Sequence, residues 1–207
     1  MQYIKIKERI KELSKTDNVD LICVSKYHTI EEIKEVYDLG QRDFGENKVQ
    51  DLILKADTLP KDIKWHLLGH LQTNKVKAVV GKVHLIHSLD SIHLAEEIQK
   101  QSEKQGVVTN CLVQVNSTMI ADRFGVPYEE LDAFIDEVSA FKNIKLMGIM
   151  GMAPKDQDPI PYFQKLRQAF ENSKLKDGIL SMGMSADFEQ AILCGSTMVR
   201  IGRIIFE

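Results

Sequence analysis

Eight short apolar runs alternate with longer amphipathic ones along the chain, and no other feature limits the possible folds so sharply. The strand-like runs lie near 20–25, 42–45, 64–68, 83–87, 109–115, 144–150, 179–182 and 198–201. Helix-like stretches fall between them, near 29–39, 46–57, 72–80, 90–105, 127–141, 158–175 and 185–194, after an opening helix over roughly 2–16. Short, continuously apolar runs such as Leu21 to Val24 read as strands buried on both faces. Strands alternating with helices imply a parallel sheet with right-handed crossovers. Two closures satisfy that pattern, an open doubly wound sheet and a (β/α)8 barrel. A chain of 207 residues is short for a barrel, which typically takes about 250. Eight strands in uninterrupted succession favour the barrel. The expectation is an α/β fold, one (β/α)8 TIM-type barrel domain over residues 1–207, with an extra N-terminal helix.

Punctuation supports several boundaries. Gly40, Gly81 and Gly106 each follow a helix. Thr29 with Glu32 forms a capping-box pattern, and Ser91 or Asp90 suits the start of the helix over 90–105. A net charge of −3 argues against a general nucleic-acid binder. No apolar run approaches the ~20 residues that span a bilayer, and the charged N-terminus lacks a signal peptide's apolar core. Cys23, Cys111 and Cys194 form no short motif, and reduced buried thiols place the protein in a cytosol.

In a barrel of this class ligands sit at the C-terminal ends of the strands, and Lys26 closes the run Asp-Leu-Ile-Cys-Val-Ser-Lys at such an end. Strand alternation puts it on the face of Ile22 and Val24. An amine desolvated there has a lowered pKa, and a neutral amine condenses with an aldehyde. The ordinary alternative is a strand that has ended and left its lysine solvated. Two phosphate-friendly segments shift the weighing. In Ser181-Met-Gly-Met-Ser185, Gly183 permits close backbone approach and Ser185 suits a helix N-cap, where free N–H groups attract an anion. In Gly195-Ser-Thr197-Met-Val-Arg200-Ile-Gly202-Arg203, Thr197 precedes a strand and Gly202 with Arg203 starts the loop after it. Barrels of this class frequently bind phosphate at the loops after strands seven and eight. Lysine and phosphate site together point to a phosphorylated aldehyde, of which pyridoxal 5′-phosphate (PLP) is the common one. Arg200 shares a face with Met198 and Gly202 and points inward beside the cofactor. An arginine at the pyridine nitrogen leaves that nitrogen largely unprotonated and weakens the ring as an electron sink. A rim arginine paired with an acid is the plainer role.

Five runs in order, Val24-Ser25-Lys26, Phe44-Gly45-Glu46-Asn47, Trp65 to Lys75, Ser181 to Ser185 and Gly195 to Gly202, resemble the YggS/PROSC family of PLP homeostasis proteins. The resemblance covers nearly the whole chain. It implies a barrel like the N-terminal domain of alanine racemase, a Schiff base at Lys26, and phosphate contacts from Ser185, Thr197, Gly202 and Arg203. It also implies that Asn47 and Arg200 flank the ring. The family is associated with supplying or buffering PLP rather than with a firm catalytic activity. The implied partners are PLP and apo PLP-dependent enzymes, and the expected state is a monomer with no nucleic-acid or membrane role.

Two departures stand out. Arg123 occupies a place where the family often has a lysine, and a guanidinium does not form a Schiff base under ordinary conditions. The chain stops at Phe206-Glu207, where relatives usually continue a little further, which implies that the final helix is missing. The competing functions are an amino-acid racemase and an aldolase that condenses with its substrate directly. Racemisation needs acid–base groups on opposite faces of the α-carbon, and the alanine racemases supply the second from a β-rich domain not evident here. His66 and His70 are four apart but lack the glutamate of a zinc-protease motif, so they are expected as a strand-end pair near the mouth. His84 and His87 are expected as satisfied barrel residues. The methionines at 147, 150, 152, 182 and 184 are expected as packing rather than a soft-metal site.

Overall fold

A computed structural model of the chain describes residues 2–14, 19–120 and 123–206. All eight expected strands form: β1 Asp20–Val24, β2 Asp43–Glu46, β3 Lys64–Leu67, β4 Leu85–Leu89, β5 Thr109–Gln114, β6 Ile144–Met150, β7 Ile179–Ser181 and β8 Met198–Ile201. They pair in parallel in sequence order and close between β1 and β8, so the barrel, not the open sheet, is the solution adopted. The helices are α1 Gln2–Ser14, α2 Ile30–Asp38, α3 Val49–Thr58, α4 Val76–Val79, α5 Ile92–Gln105, α6 Leu131–Ser139, α7 Ile160–Asn172, α8 Phe188–Leu193 and α9 Arg203–Phe206. Positions 15 and 16 of the expected opening helix, and Glu207, lie outside the described residues. No helix among the described residues is long and apolar enough to cross a membrane.

The anticipated caps explain where two helices start. Thr29 Oγ1 accepts from Glu32 N (3.2 Å) while Thr29 N donates to Glu32 Oε2 (2.7 Å), a complete capping box for α2. Ser91 Oγ accepts from Leu94 N at the start of α5, and Gly106 ends it in the left-handed conformation at φ 67°. Ser185 is a different matter. It sits in a turn, α8 begins only at Phe188, and Asp187 takes the cap position, its Oδ1 accepting from Met184 N at 2.6 Å.

Alternation along the strands sorts side chains into two layers. Phe44, Trp65, Leu67, Ile86, Val113, Ile149, Leu180 and Val199 face outward and join one apolar cluster with the helices. Ile22, Leu85, Leu112, Met150 and Met198, with Met147 and Ile179 against them, fill the inside. The inside also holds His66, His87, Ser181 and Arg200, none more than 5% exposed. Cys23 and Cys111 are buried and Cys194 half-buried, all as free thiols; burial raises the pKa of each.

Candidate functional site

The C-terminal ends of β7, β8, β1 and β2 form one contiguous arc of the barrel mouth. Lys26 emerges on it two residues past the end of β1. The strand has ended by then, so the expectation of an amine desolvated on the strand face gives way to an exposed lysine in a turn. His28 N donates to Ser25 O (3.1 Å) to close that turn. Its third residue, Tyr27, takes φ 70°, a left-handed conformation that costs a bulky side chain of order 1–3 kcal/mol. The Tyr27 ring is 88% exposed and lies 5.9 Å from Lys26 Nζ.

A buried ion pair anchors this turn, and sequence reasoning missed it. Lys55 on α3 donates from Nζ to Glu46 Oε1 (2.7 Å) and to Ser25 O (2.8 Å), and Ser25 Oγ donates to Glu46 Oε1 (2.7 Å). Glu46 is fully buried and its Oε2 has no hydrogen-bond partner among the described residues. Replacing a buried ion pair by apolar side chains is often neutral for stability. What this pair does visibly is fix the carbonyl immediately before Lys26.

The two phosphate-friendly segments come together as expected at one point. Gly202 N donates to Ser185 Oγ at 3.3 Å. Gly202 packs on Val24, two residues before Lys26: a Cβ at 202 would lie 2.8 Å from Val24 O, closer than real contacts allow. Arg203 follows, exposed, as the first residue of α9. Asn47 is exposed just beyond β2, and its carbonyl lies against Gly69, where a Cβ would be 2.1 Å away. Lys26, Asn47, Ser185, Gly202 and Arg203 therefore share one rim.

Thr197 does not join them. It precedes β8 and so lies at the N-terminal floor of the barrel, a four-residue strand, or about 13 Å, from the mouth. Its hydroxyl accepts from Leu180 N at 2.8 Å. A threonine ahead of a parallel strand starts from the wrong end, so a phosphate contact from Thr197 is set aside.

Arg200 points inward, on the face of Met198 as expected, but not as a rim residue paired with an acid. Its Nη1 donates to Ser181 Oγ (2.6 Å) and its Nη2 to Gly151 O (3.1 Å). Burial depresses its pKa to about 10, against a smaller opposing pull from Asp187. Of the histidines, His87 is a bonded barrel residue and His70 a mouth residue as expected, whereas His66 and His84 differ. His70 is at the mouth, stacked on Phe124 at 3.9 Å and 3.4 Å from Asp90. His66 is inside the barrel, its Nδ1 3.0 Å from His87 Nε2, and His84 is exposed ahead of β4. Arg123, Asn116, Met152 and Met184 line a cavity of about 480 Å³ on the β5–β6 side of the mouth.

Residues 4–207 match the family model of the alanine racemase N-terminal domain. The chain is 41% identical to the pyridoxal phosphate homeostasis protein of Aquifex aeolicus, over 90% of this chain and 85% of that one. It is 35% identical to the human pyridoxal phosphate homeostasis protein, over 90% and 75% of the two chains. Among solved structures, PipY of Synechococcus elongatus is similar both without PLP (TM-score 0.87, 34% identity, 98% of this chain and 100% of that one) and with PLP bound (TM-score 0.83). An alanine racemase from Clostridium difficile shares the fold at 18% identity, TM-score 0.79, over 99% of this chain and 56% of that one. The barrel, its rim and these similarities agree: the chain belongs to the family of pyridoxal phosphate homeostasis proteins, built on the alanine racemase N-terminal barrel.

Proposed function

We propose that this protein binds PLP at the barrel mouth and holds it for buffering or delivery rather than for turnover. The observation that carries the reading is the rim itself, where an exposed amine, an N–H and hydroxyl that an anion can take over, and an exposed arginine follow the ends of three neighbouring strands, β7, β8 and β1. This donor set fits the group. Ser185 and Gly202, which satisfy each other at 3.3 Å, would hold the phosphate together with Arg203. Lys26 would supply the amine for covalent attachment, with Asn47 and Arg200 beside the ring. When bound, PLP supplies an aldehyde and an electron-withdrawing ring. The names of the relatives, and PipY with PLP bound, support the same assignment.

Arg200 argues for storage over catalysis. It offers only donors, and even with its pKa lowered to about 10 it stays charged at neutral pH. It therefore cannot readily hand the pyridine nitrogen a proton, which keeps the ring a poor sink. The proposal includes one domain over the whole chain, a monomer, a cytosolic setting in keeping with three free thiols, and apo PLP-dependent enzymes as recipients. PLP-loaded protein incubated with each proteinogenic L-amino acid is expected to yield no sustained D-isomer, amine or keto-acid. It should pass PLP to an apo-enzyme faster than its release into buffer allows. Turnover at rates ordinary for an enzyme, abolished by Lys26→Ala, would overturn the storage assignment.

A further inference from the structure

Inside the barrel a single file of hydrogen-bonding groups runs from the mouth to the floor. Arg200 Nη1 donates to Ser181 Oγ (2.6 Å), and Ser181 Oγ lies 3.4 Å from His87 Nδ1. His87 Nε2 lies 3.0 Å from His66 Nδ1, and His66 Nε2 lies 3.2 Å from Asp43 Oδ1. The four inner members are buried, while the Asp43 side chain is 31% exposed and lines a cavity between α1 and the barrel floor.

The Asp43 end dictates the direction of every bond in the file, and the Arg200 end is compatible with it. A guanidinium has donors only, and a carboxylate has acceptors only. Asp43 therefore takes the Nε2 proton of His66, which leaves His66 Nδ1 as an acceptor. His87 must then donate from Nε2 and accept at Nδ1, Ser181 must donate to His87, and the Ser181 lone pairs are left for Arg200. Reversing the file would leave His66 Nε2 unprotonated and set it, acceptor against acceptor, on the Asp43 carboxylate. Both histidines must be neutral for the pattern to hold. Burial lowers the pKa of each, in His87 well below the ordinary value. At Asp43 burial pushes the pKa up, but the His66 bond and the neighbouring cations outweigh it and the net shift is downward. The other charged groups facing the file are Asp20, Lys64 and His84 at the floor and Asp187 towards the mouth.

Resting on the proposed function, we infer that Ser181, His87 and His66 are positioning residues, locked into one tautomeric order by Asp43, that hold the Arg200 guanidinium as a fixed donor towards the ring. The state of the mouth is thereby set from the opposite end of the barrel. Asp43 touches no cofactor and is the place to test it. Asn at 43 keeps an acceptor, whereas Ala removes it.

The first measurement needs no PLP: imidazole ¹⁵N spectra of the unliganded protein near pH 7.5. In wild type and Asp43→Asn, His66 and His87 are expected neutral with the proton on Nε2. In Asp43→Ala both are expected as tautomer mixtures. The second measurement is PLP retention and the pH midpoint of the bound chromophore. Asp43→Ala is expected to weaken retention on the order of threefold to tenfold, the worth of one net hydrogen bond, and to move the midpoint, with Asn restoring both. Asp20→Asn, a floor acid outside the file, is the control and should change neither. Wild-type tautomers in Asp43→Ala would overturn the file. Altered tautomers with retention and midpoint unchanged would overturn its role towards Arg200. A wild type that takes up no PLP would sink the proposed function and the role towards the ring, while the spectra still decide the file separately.

Discussion

The two faces of the same eight strands differ in kind. The outer face is mainly apolar, with Phe44, Trp65, Leu67, Ile86 and Val199 packed under the helices and its buried Glu46 and Thr109 bonded to Lys55 and Ser102 of those helices. The inner face interrupts a small apolar cluster with an arginine, two histidines and a serine. Burying such groups costs free energy unless each finds a partner, and here each does. The outer face makes the fold; the inner face accepts an energetic risk at the level where the mouth residues are held. Substitutions should separate the two.

The largest effect belongs to the outer face. Phe44 is fully buried with its ring 6.1 Å from Trp65, so Phe44→Ala should cost about 3–5 kcal/mol in denaturant unfolding. Its surviving folded fraction should keep the wild-type order at His66 and His87. A cost under about 1 kcal/mol, or scrambled histidines in the folded fraction, would break the division of labour.

The inner face should instead be sensitive to acid. His66 and His87 titrate below their ordinary value of 6.5 when folded, chiefly because they are buried. Their contribution is therefore present above about pH 6.5 and is lost as pH falls, because the unfolded chain takes up protons that the folded one refuses. The slope is at most about 1.4 kcal/mol per pH unit for each histidine. Urea titrations from pH 7.5 to 5.5 should show it, and a His66→Asn/His87→Asn variant should flatten it. An equal slope in that variant would assign the acid sensitivity elsewhere.

Smaller effects fall at the rim. In Gly202→Val the new Cβ would strike Val24 O; overpacking of this kind costs about 1–3 kcal/mol, and PLP retention should fall more than tenfold by equilibrium dialysis. Thr29→Ala, which removes the α2 cap, should cost about 1 kcal/mol and leave PLP retention alone. Should Gly202→Val and Ser185→Ala both retain PLP as wild type does, the phosphate lies elsewhere.

Much of the fold was legible because period and punctuation are local. Every strand formed within two residues of its expected limits, and Thr29, Ser91 and Gly106 mark helix ends where they were expected to. The start of α8 was misjudged because Ser185 and Asp187 are both acceptable caps, and only the turn geometry chooses between them. Thr197 was placed with the phosphate group through resemblance, although its position ahead of β8 put it at the floor. The inner file depends on register between strands distant in sequence. Its one sequence signal was the polar residue at an inward position of each otherwise apolar strand: His66, His87, Ser181, Arg200. The Glu46–Lys55 pair carried no signal, since it joins a strand end to a lysine in the second half of the following helix.

The central claim is that PLP attaches to Lys26. Because that side chain is exposed, Lys26→Ala should change stability by no more than about 0.5 kcal/mol, so that loss of attachment cannot be blamed on the fold. The decisive measurement is mass spectrometry of peptides after borohydride reduction of PLP-loaded protein. The account predicts one dominant PLP adduct, on the peptide containing Lys26, and none in Lys26→Ala. An adduct chiefly on another lysine, with Lys26→Ala labelled as fully as wild type, would contradict it.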